Sequence, residues 1–184
     1  MRSKLLTALA ICVAPVFAEE LVLNLDASNT PVHFTLPGTL HTVHGVFKLK
    51  HGNVRYDPAT GKIAGVVVVD ATSGNSGDGS RDKRMHKDIL QSPQYPEIVF
   101  TPERVDGAVA PQGTSQVQVH GTFTIHGAGH EITIPVEVQN AGGHTTATAR
   151  FSIPYVKWGM KNPSTLFLRV SDKVELEATA GALP

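Results

Sequence analysis

The sequence predicts an all-β protein, an antiparallel barrel of about eight strands with one short helix. Three observations carry this. Over residues 117–125 apolar and polar side chains alternate without a miss, and after a turn at 126–130 the alternation resumes through Ile132, Ile134, Val136 and Val138. Successive residues of a strand point to opposite faces, so this is a hairpin with one buried face. Most other apolar segments repeat the pattern and are separated by Gly, Pro, Asn or Asp clusters. Helical spacing occurs once, over 81–90. A closed barrel is favoured over an open sandwich because closure leaves no exposed edge.

Each element follows from its residues. Leu21, Leu23 and Leu25 open a first strand, and Asp26-Ala27-Ser28-Asn29 makes a turn. Val32, Phe34 and Leu36 alternate until Pro37-Gly38. A long strand is expected over 40–56, with Phe47, Leu49 and His51 on one face and Gly45 and Gly52 marking a bulge or bend. After a loop at 57–61, residues 63–69 are apolar on both faces, as in a strand covered on both sides. Residues 72–80 are Gly/Ser/Asn/Asp-rich and read as a flexible loop. The helix over 81–90 can be capped by Ser80 or Asp82 and carries Met85 and Ile89 one turn apart. Pro93 and Pro96 end it, and Ile98 and Phe100 begin another strand. The 116–140 hairpin follows, then a strand over 144–152 with Ala147, Ala149 and Phe151 on one face. Residues 154–163 are irregular, and Val174, Leu176 and Ala178 form a last strand.

Composition narrows the function. The chain has 184 residues, with 16 basic and 16 acidic side chains. Neutrality argues against a nucleic-acid partner, which needs a basic surface. No apolar run reaches the ~20 residues of a membrane span, so no stable membrane insertion is expected. Residues 1–18 read as a signal peptide: a basic Met1-Arg2-Ser3-Lys4 start, an apolar stretch over 5–17, and Val16-Phe17-Ala18 at the cleavage site. Residues 19–184 are then the mature domain, periplasmic or secreted. The lone Cys12 lies within the leader. A lipoprotein site there is disfavoured because Ile11 is bulky where a small residue is needed. The exported chain has no cysteine and no disulfide to hold it.

Little chemistry is visible. Nine histidines are many for this length, but their spacing gives no metal-ligand run. His41 and His44 point to opposite faces, His120 lies on a polar face, and His126 and His130 flank a turn. Asn75-Ser76-Gly77-Asp78-Gly79-Ser80 lacks the acidic run of a calcium loop. No serine sits in a nucleophile elbow. No catalytic residue, metal or cofactor is assigned. The apolar face remains: Phe34, Phe47, Phe100, Phe123 and Phe151 fall in five different strands and point inward, as do Val119, Ile125 and Ile134. Alternation alone leaves a filled barrel and a hollow one equally open. A filled stress protein without ligand, or a metal-assisted hydrolase using rim histidines, are the alternatives to a binding protein.

Three stretches resemble the YceI family. Arg81-Asp82-Lys83-Arg84-Met85-His86 followed by Tyr95-Pro96-Glu97-Ile98-Val99-Phe100 is similar to its helix and following strand. Val119-His120-Gly121-Thr122-Phe123-Thr124-Ile125-His126-Gly127 with Ile132-Thr133-Ile134-Pro135-Val136 resembles its hairpin, with Phe123 where leucine is usual. Ala149-Arg150-Phe151-Ser152-Ile153 resembles a late strand. The resemblance implies an extended lipocalin-like barrel that binds a polyisoprenoid, such as an isoprenoid quinone, in its channel. Phe34, Phe47, Phe100, Val119, Phe123, Ile125, Ile134 and Phe151 would then line that channel. Arg84 stands where many members have His, which bears on the head group. Trp158, within Tyr155-Val156-Lys157-Trp158-Gly159-Met160, reads either as a cover for a barrel mouth or as a surface aromatic on its own loop.

Overall fold

The computed structural model describes residues 20–25, 28 and 30–182. The leader over 1–18 and most of the 26–29 turn lie outside the described residues. Nine strands are formed: β1 (Leu21–Leu25), β2 (Val32–Leu36), β3 (Val43–Asp57), β4 (Lys62–Asn75), β5 (Glu97–Asp106), β6 (Gly113–Ile125), β7 (Ala128–Ala141), β8 (His144–Ile153) and β9 (Val174–Ala182). All pairings are antiparallel, and the sheet runs β1-β3-β2-β9-β8-β7-β6-β5-β4. A β3–β4 pairing joins its ends and closes the barrel. The barrel has eight positions, because β1 and β2 share one. β2 pairs with the first part of β3, Val32 opposite Phe47, and β1 with the last part, Leu25 opposite Gly52.

The hairpin of β6 and β7 is continuous over thirteen residue pairs, from Gly113–Asn140 to Ile125–Ala128. His126 and Gly127 turn it with φ of 53° and 77°. Positive φ at both central positions makes a turn whose twist matches the strands it joins. Val117, Val119, Phe123 and Ile125 are buried along β6, and Ile134 and Val138 along β7. Proline 135 falls where β7 loses its second neighbour: β8 pairs with β7 only from Val136 onward.

The long strand departs from simple alternation. Phe47 and Leu49 are buried, but His51 is exposed and Gly52 is buried. A register shift between Leu49 and His51 inserts an extra residue and reverses the facing, so the expected place of His51 beside Phe47 and Leu49 is wrong. Gly45 and Gly52 do not make the bulges themselves. Each lies opposite a large inward side chain: Phe34 covers Gly45 and Leu25 covers Gly52. A Cβ on Gly45 would come within 2.3 Å of the Phe34 ring.

β4 continues to Asn75, well beyond residue 69, so the expected flexible loop at 72–80 is largely strand and cap. Val68 points away from Val67 and Val69 yet is only 5% exposed, so the outer face of β4 is covered as well. The helix starts at Gly79 as a short α-helix, α1 (Gly79–Arg84), and continues as a π-turn over Met85–Ile89. Asp78, not Ser80 or Asp82, is the N-cap, accepting from the Arg81 N–H at 2.8 Å. Asp82 instead reaches back to accept from the Ser76 backbone N–H at 2.9 Å. Arg81 donates from Nε to Ser76 Oγ at 2.7 Å and from its guanidinium to the Ser76 carbonyl at 3.0 Å. The ring nitrogens of His86 bridge the Gly74 carbonyl, at 2.9 Å, and Ser92 Oγ, at 3.0 Å. The Arg-Asp-x-x-Met-His segment is thus a clamp that fastens the helix to the end of β4.

Gly121 offers a direct test of this packing. A Cβ there would stand 2.3 Å from the Thr101 carbonyl oxygen and 2.9 Å from the Pro102 Cα, both backbone of the neighbouring strand. Gly121→Ala is expected to destabilise the fold by about 1–3 kcal/mol. Gly79→Ala, at an open helix position with nothing within 4 Å, is expected to leave stability equal or slightly raised. Denaturant midpoints of the two variants check both outcomes, and equal midpoints would refute the packing argument.

Candidate functional site

The barrel encloses a cavity of about 660 Å³ that runs its length. Its wall is apolar because the inward positions of every strand are aliphatic or aromatic. Phe34, Phe47, Phe100, Val119, Phe123, Ile125, Ile134 and Phe151, the eight residues picked out from the sequence, all line it. Phe34 and Phe47 pack with ring centroids 5.2 Å apart, and Phe123 meets Phe151 edge-on at 6.0 Å. A second apolar cluster, Val117, Val119 and Val138, also lines it, away from the helix. Sequence reasoning missed other lining groups. Val67 and Val69 lie in a run apolar on both faces, where parity gives no direction. Tyr155 and Met160 belong to an irregular segment with no period to read.

Polar lining gathers at the helix end. Met85, Ile89 and Leu90 enter the cavity from the π-turn, and Arg81, Arg84, Asp78, Ser76 and His41 surround its mouth. The π-turn matters here. Its wider winding is closed by the Leu90 N–H to the Met85 carbonyl at 2.9 Å, and it carries Met85, Ile89 and the buried Leu90 onto the same side. Gly74 lets the helix seat: a Cβ would come within 2.5 Å of the Phe47 ring and 2.7 Å of Met85 Cε. The backbone N–H of Arg81, then the Arg81 charge, hold the Asp78 carboxyl below its ordinary range, so the mouth carries both signs of charge at neutral pH.

Trp158 lies over the stretch of β7 that β8 leaves unpaired. It stacks flat on His130, with centroids 4.2 Å apart and planes within 1°, and touches Phe123 at 5.9 Å. His130 is the register partner of Phe123, so both face inward and Trp158 closes the wall above them. It therefore packs on the hairpin of β6 and β7 and not only on its own loop.

The histidines are dispersed. His120 is on the outer surface with Asp106 at 2.8 Å and Thr133 at 2.8 Å. His126 packs on Tyr95 at 4.7 Å, His86 clamps the helix, and His44 meets Thr35 at 3.1 Å. Among the described residues no three His, Cys, Asp or Glu side chains converge. The surface ion pairs, such as Arg150–Glu177 at 3.1 Å, are exposed and contribute little to stability.

A closed antiparallel barrel with one long apolar cavity and a polar mouth is the architecture of a container for an elongated apolar molecule. The chain belongs to the YceI family: the family model for the YceI-like domain matches residues 23–182. Among solved structures it is similar to BcnA of Burkholderia cenocepacia, at 21% identity and a TM-score of 0.73, over 85% of this chain and 98% of that one. A polyisoprenoid binding domain from Saccharophagus degradans, implicated in plant cell wall breakdown, matches at 16% identity and a TM-score of 0.66, over 89% and 98%. A YceI protein of Campylobacter jejuni matches at 19% identity and a TM-score of 0.58, over 71% and 78%. No curated protein matches the chain.

Tyr155 reports on the wall of the cavity near the mouth. Its hydroxyl donates to the Ser171 carbonyl at 2.8 Å. Burial, with the Asp172 charge adding to it, pushes the phenol up to about 12. A phenol raised in the folded state contributes stability that is intact below its unfolded value of about 10 and is lost as pH rises from there toward 12. Denaturant midpoints taken across that alkaline window should fall more steeply for the wild type than for Tyr155→Phe. Parallel slopes would place the ring in solvent.

Proposed function

We propose that the protein is a non-catalytic carrier that sequesters a polyisoprenoid lipid, an isoprenoid quinone or a polyprenyl chain, in the barrel. The observation that carries this is the cavity: about 660 Å³, lined mainly by apolar side chains, with its charged lining residues gathered mostly at the helix end. A volume in the range of small-molecule sites, drawn out along a barrel, fits a long slender occupant better than a compact one. β6 has 13 residues and so runs ~43 Å along the strand, or roughly 30 Å of barrel height after tilting. An extended hydrocarbon tail would gain ~25 cal/mol for each Å² removed from water. Methyl branches match the ridged wall of Phe, Val and Ile side chains, which offers shape but few hydrogen bonds. A polar head would sit at the mouth near Arg84 and His41. The similarity to a polyisoprenoid binding domain supports the same reading.

The export signal read at residues 1–18 supports a periplasmic or secreted site of action. The mature chain is then expected to begin at Glu19 without an acyl anchor. N-terminal sequencing of protein recovered from a fractionated cell tests this, and an acylated Cys12 would overturn it.

Native mass spectrometry of protein purified without detergent tests the carrier reading. The wild type is expected to carry a heterogeneous long-chain lipid. Phe123→Gln puts an amide in the middle of the wall and is expected to lose that lipid. Gln118→Ala, on the exposed face of the same strand, is expected to keep it. Losing a buried Phe costs about 3–5 kcal/mol, so both variants are compared only after circular dichroism shows them folded. A folded Phe123→Gln protein with a full lipid load would sink the proposal.

A further inference from the structure

We propose that the helix-end rim is a membrane-docking surface that seats on an anionic lipid bilayer and brings the cavity mouth against it. Three large apolar side chains stand almost fully in solvent: Leu40 at 77%, Leu166 at 84% and Phe167 at 87% exposure. Scattered exposed apolar residues are ordinary, but these belong to one built feature beside one opening.

The feature is a finger held in shape by its own polar groups. The Thr165 N–H donates to the Leu168 carbonyl at 2.8 Å, and the Leu168 N–H to Thr165 Oγ1 at 3.2 Å. This turn presents Leu166 and Phe167 at its tip. Behind it, the Val170 N–H donates to Ser164 Oγ at 3.0 Å. The finger is fastened to the loop between β2 and β3. Gly38 bridges Val170, and Thr39 donates from N and from Oγ1 to the Arg169 carbonyl at 2.9 and 2.8 Å. Leu40 follows Thr39 directly, so the three exposed apolar residues lie on joined loops. The same loops reach the cavity: His41, Pro163, Leu168 and Val170 line it. The apolar tip and the apolar interior are parts of one rim.

Charge identifies the partner. The connection from 154 to 173 carries Lys157, Lys161, Arg169 and Lys173, all exposed, against Asp172 alone. The loops at the opposite end, 58–61, 107–112 and 142–143, carry no charged side chain. The 76–96 connection at the same end adds Arg81, Lys83, Arg84 and Lys87 against Asp78, Asp82 and Asp88, so the loops of the helix end keep a positive excess in a chain that is neutral overall. Exposed apolar side chains on a connection rich in lysine and arginine are complementary to a bilayer with anionic head groups: the tip enters the interface and the cations meet the phosphates. This inference goes beyond the carrier reading and is tested without any isoprenoid.

The test is co-sedimentation of the purified protein with vesicles of phosphatidylcholine alone and of phosphatidylcholine with phosphatidylglycerol. Binding is expected to the second and to weaken as salt is raised. Leu166→Ser with Phe167→Ser is expected to lower the partition roughly tenfold or more. Lys157→Gln with Lys161→Gln is expected to abolish the preference for phosphatidylglycerol. All four positions are exposed, and circular dichroism checks the fold of each variant. The lipid load, read separately by native mass spectrometry, is expected to persist in both. An empty cavity in the wild type would therefore fail the carrier reading while leaving vesicle binding intact. No binding to either vesicle, equal binding to both, or partition unchanged by the tip variant would overturn docking. So would self-association of the wild type, seen by sedimentation and lost in the tip variant, with no vesicle binding: the patch would then be covered by a second copy.

Discussion

The pairing of β3 with β4 is the constraint on which the rest depends. β3 is the longest strand, and without its contact to β4 the sheet would be an open ribbon with β4 as a bare edge. Closure at eight positions sets the bore, and a bore of that size can hold one slender occupant or be filled by side chains. Here the inward residues make an apolar wall and still leave a cavity of about 660 Å³. The bulges that shift β3 against β4 are part of the same solution, because they bend the long strand around the bore. What would otherwise be a defect in alternation is what lets two long strands close a curved surface.

The architecture was legible wherever one face is buried and the other solvated. β6 and β7 show it best: strict alternation, a two-residue turn and full register. Phe34, Phe47, Phe100, Phe123 and Phe151, one in each of five strands, face inward for the same reason. The misses have physical causes. His51 is exposed because a bulge breaks parity, and parity is the only evidence an isolated sequence offers. The strand beyond Val69 was hidden because Thr72, Ser73, Gly74 and Asn75 have a loop's composition, while their conformation is set by pairing and by the clamp from Arg81, Asp82 and His86. The hollow interior is invisible in principle, since a filled barrel and an empty one write the same alternating pattern. Family resemblance, not periodicity, carried that step.

The helix end and the opposite end of the barrel have different chemistry, and this polarity organises the function. At the helix end lie the clamp, the π-turn, the mouth and the finger with Leu166 and Phe167 at its tip. At the other end are short uncharged turns and a small valine cluster. A lipid with a long tail and a polar head would have one orientation in such a vessel. On the proposed carrier reading the apolar body would supply affinity without discrimination among similar tails, and the mouth would be where selectivity for the head arises.

The route of the chain through the barrel has a consequence for how the protein comes into being. β2, near the start, hydrogen-bonds to β9, the last strand. The seam between them cannot be sealed until the whole chain is present, while the hairpins from β3 to β8 can form earlier from neighbouring segments. Contacts of such long sequence separation make folding slow. They also make the two ends of the chain structural in equal measure. Cutting the chain before Val174 would not trim a tail but take out a stave, all of β9, leaving β2 and β8 as open edges on either side of a hydrocarbon interior.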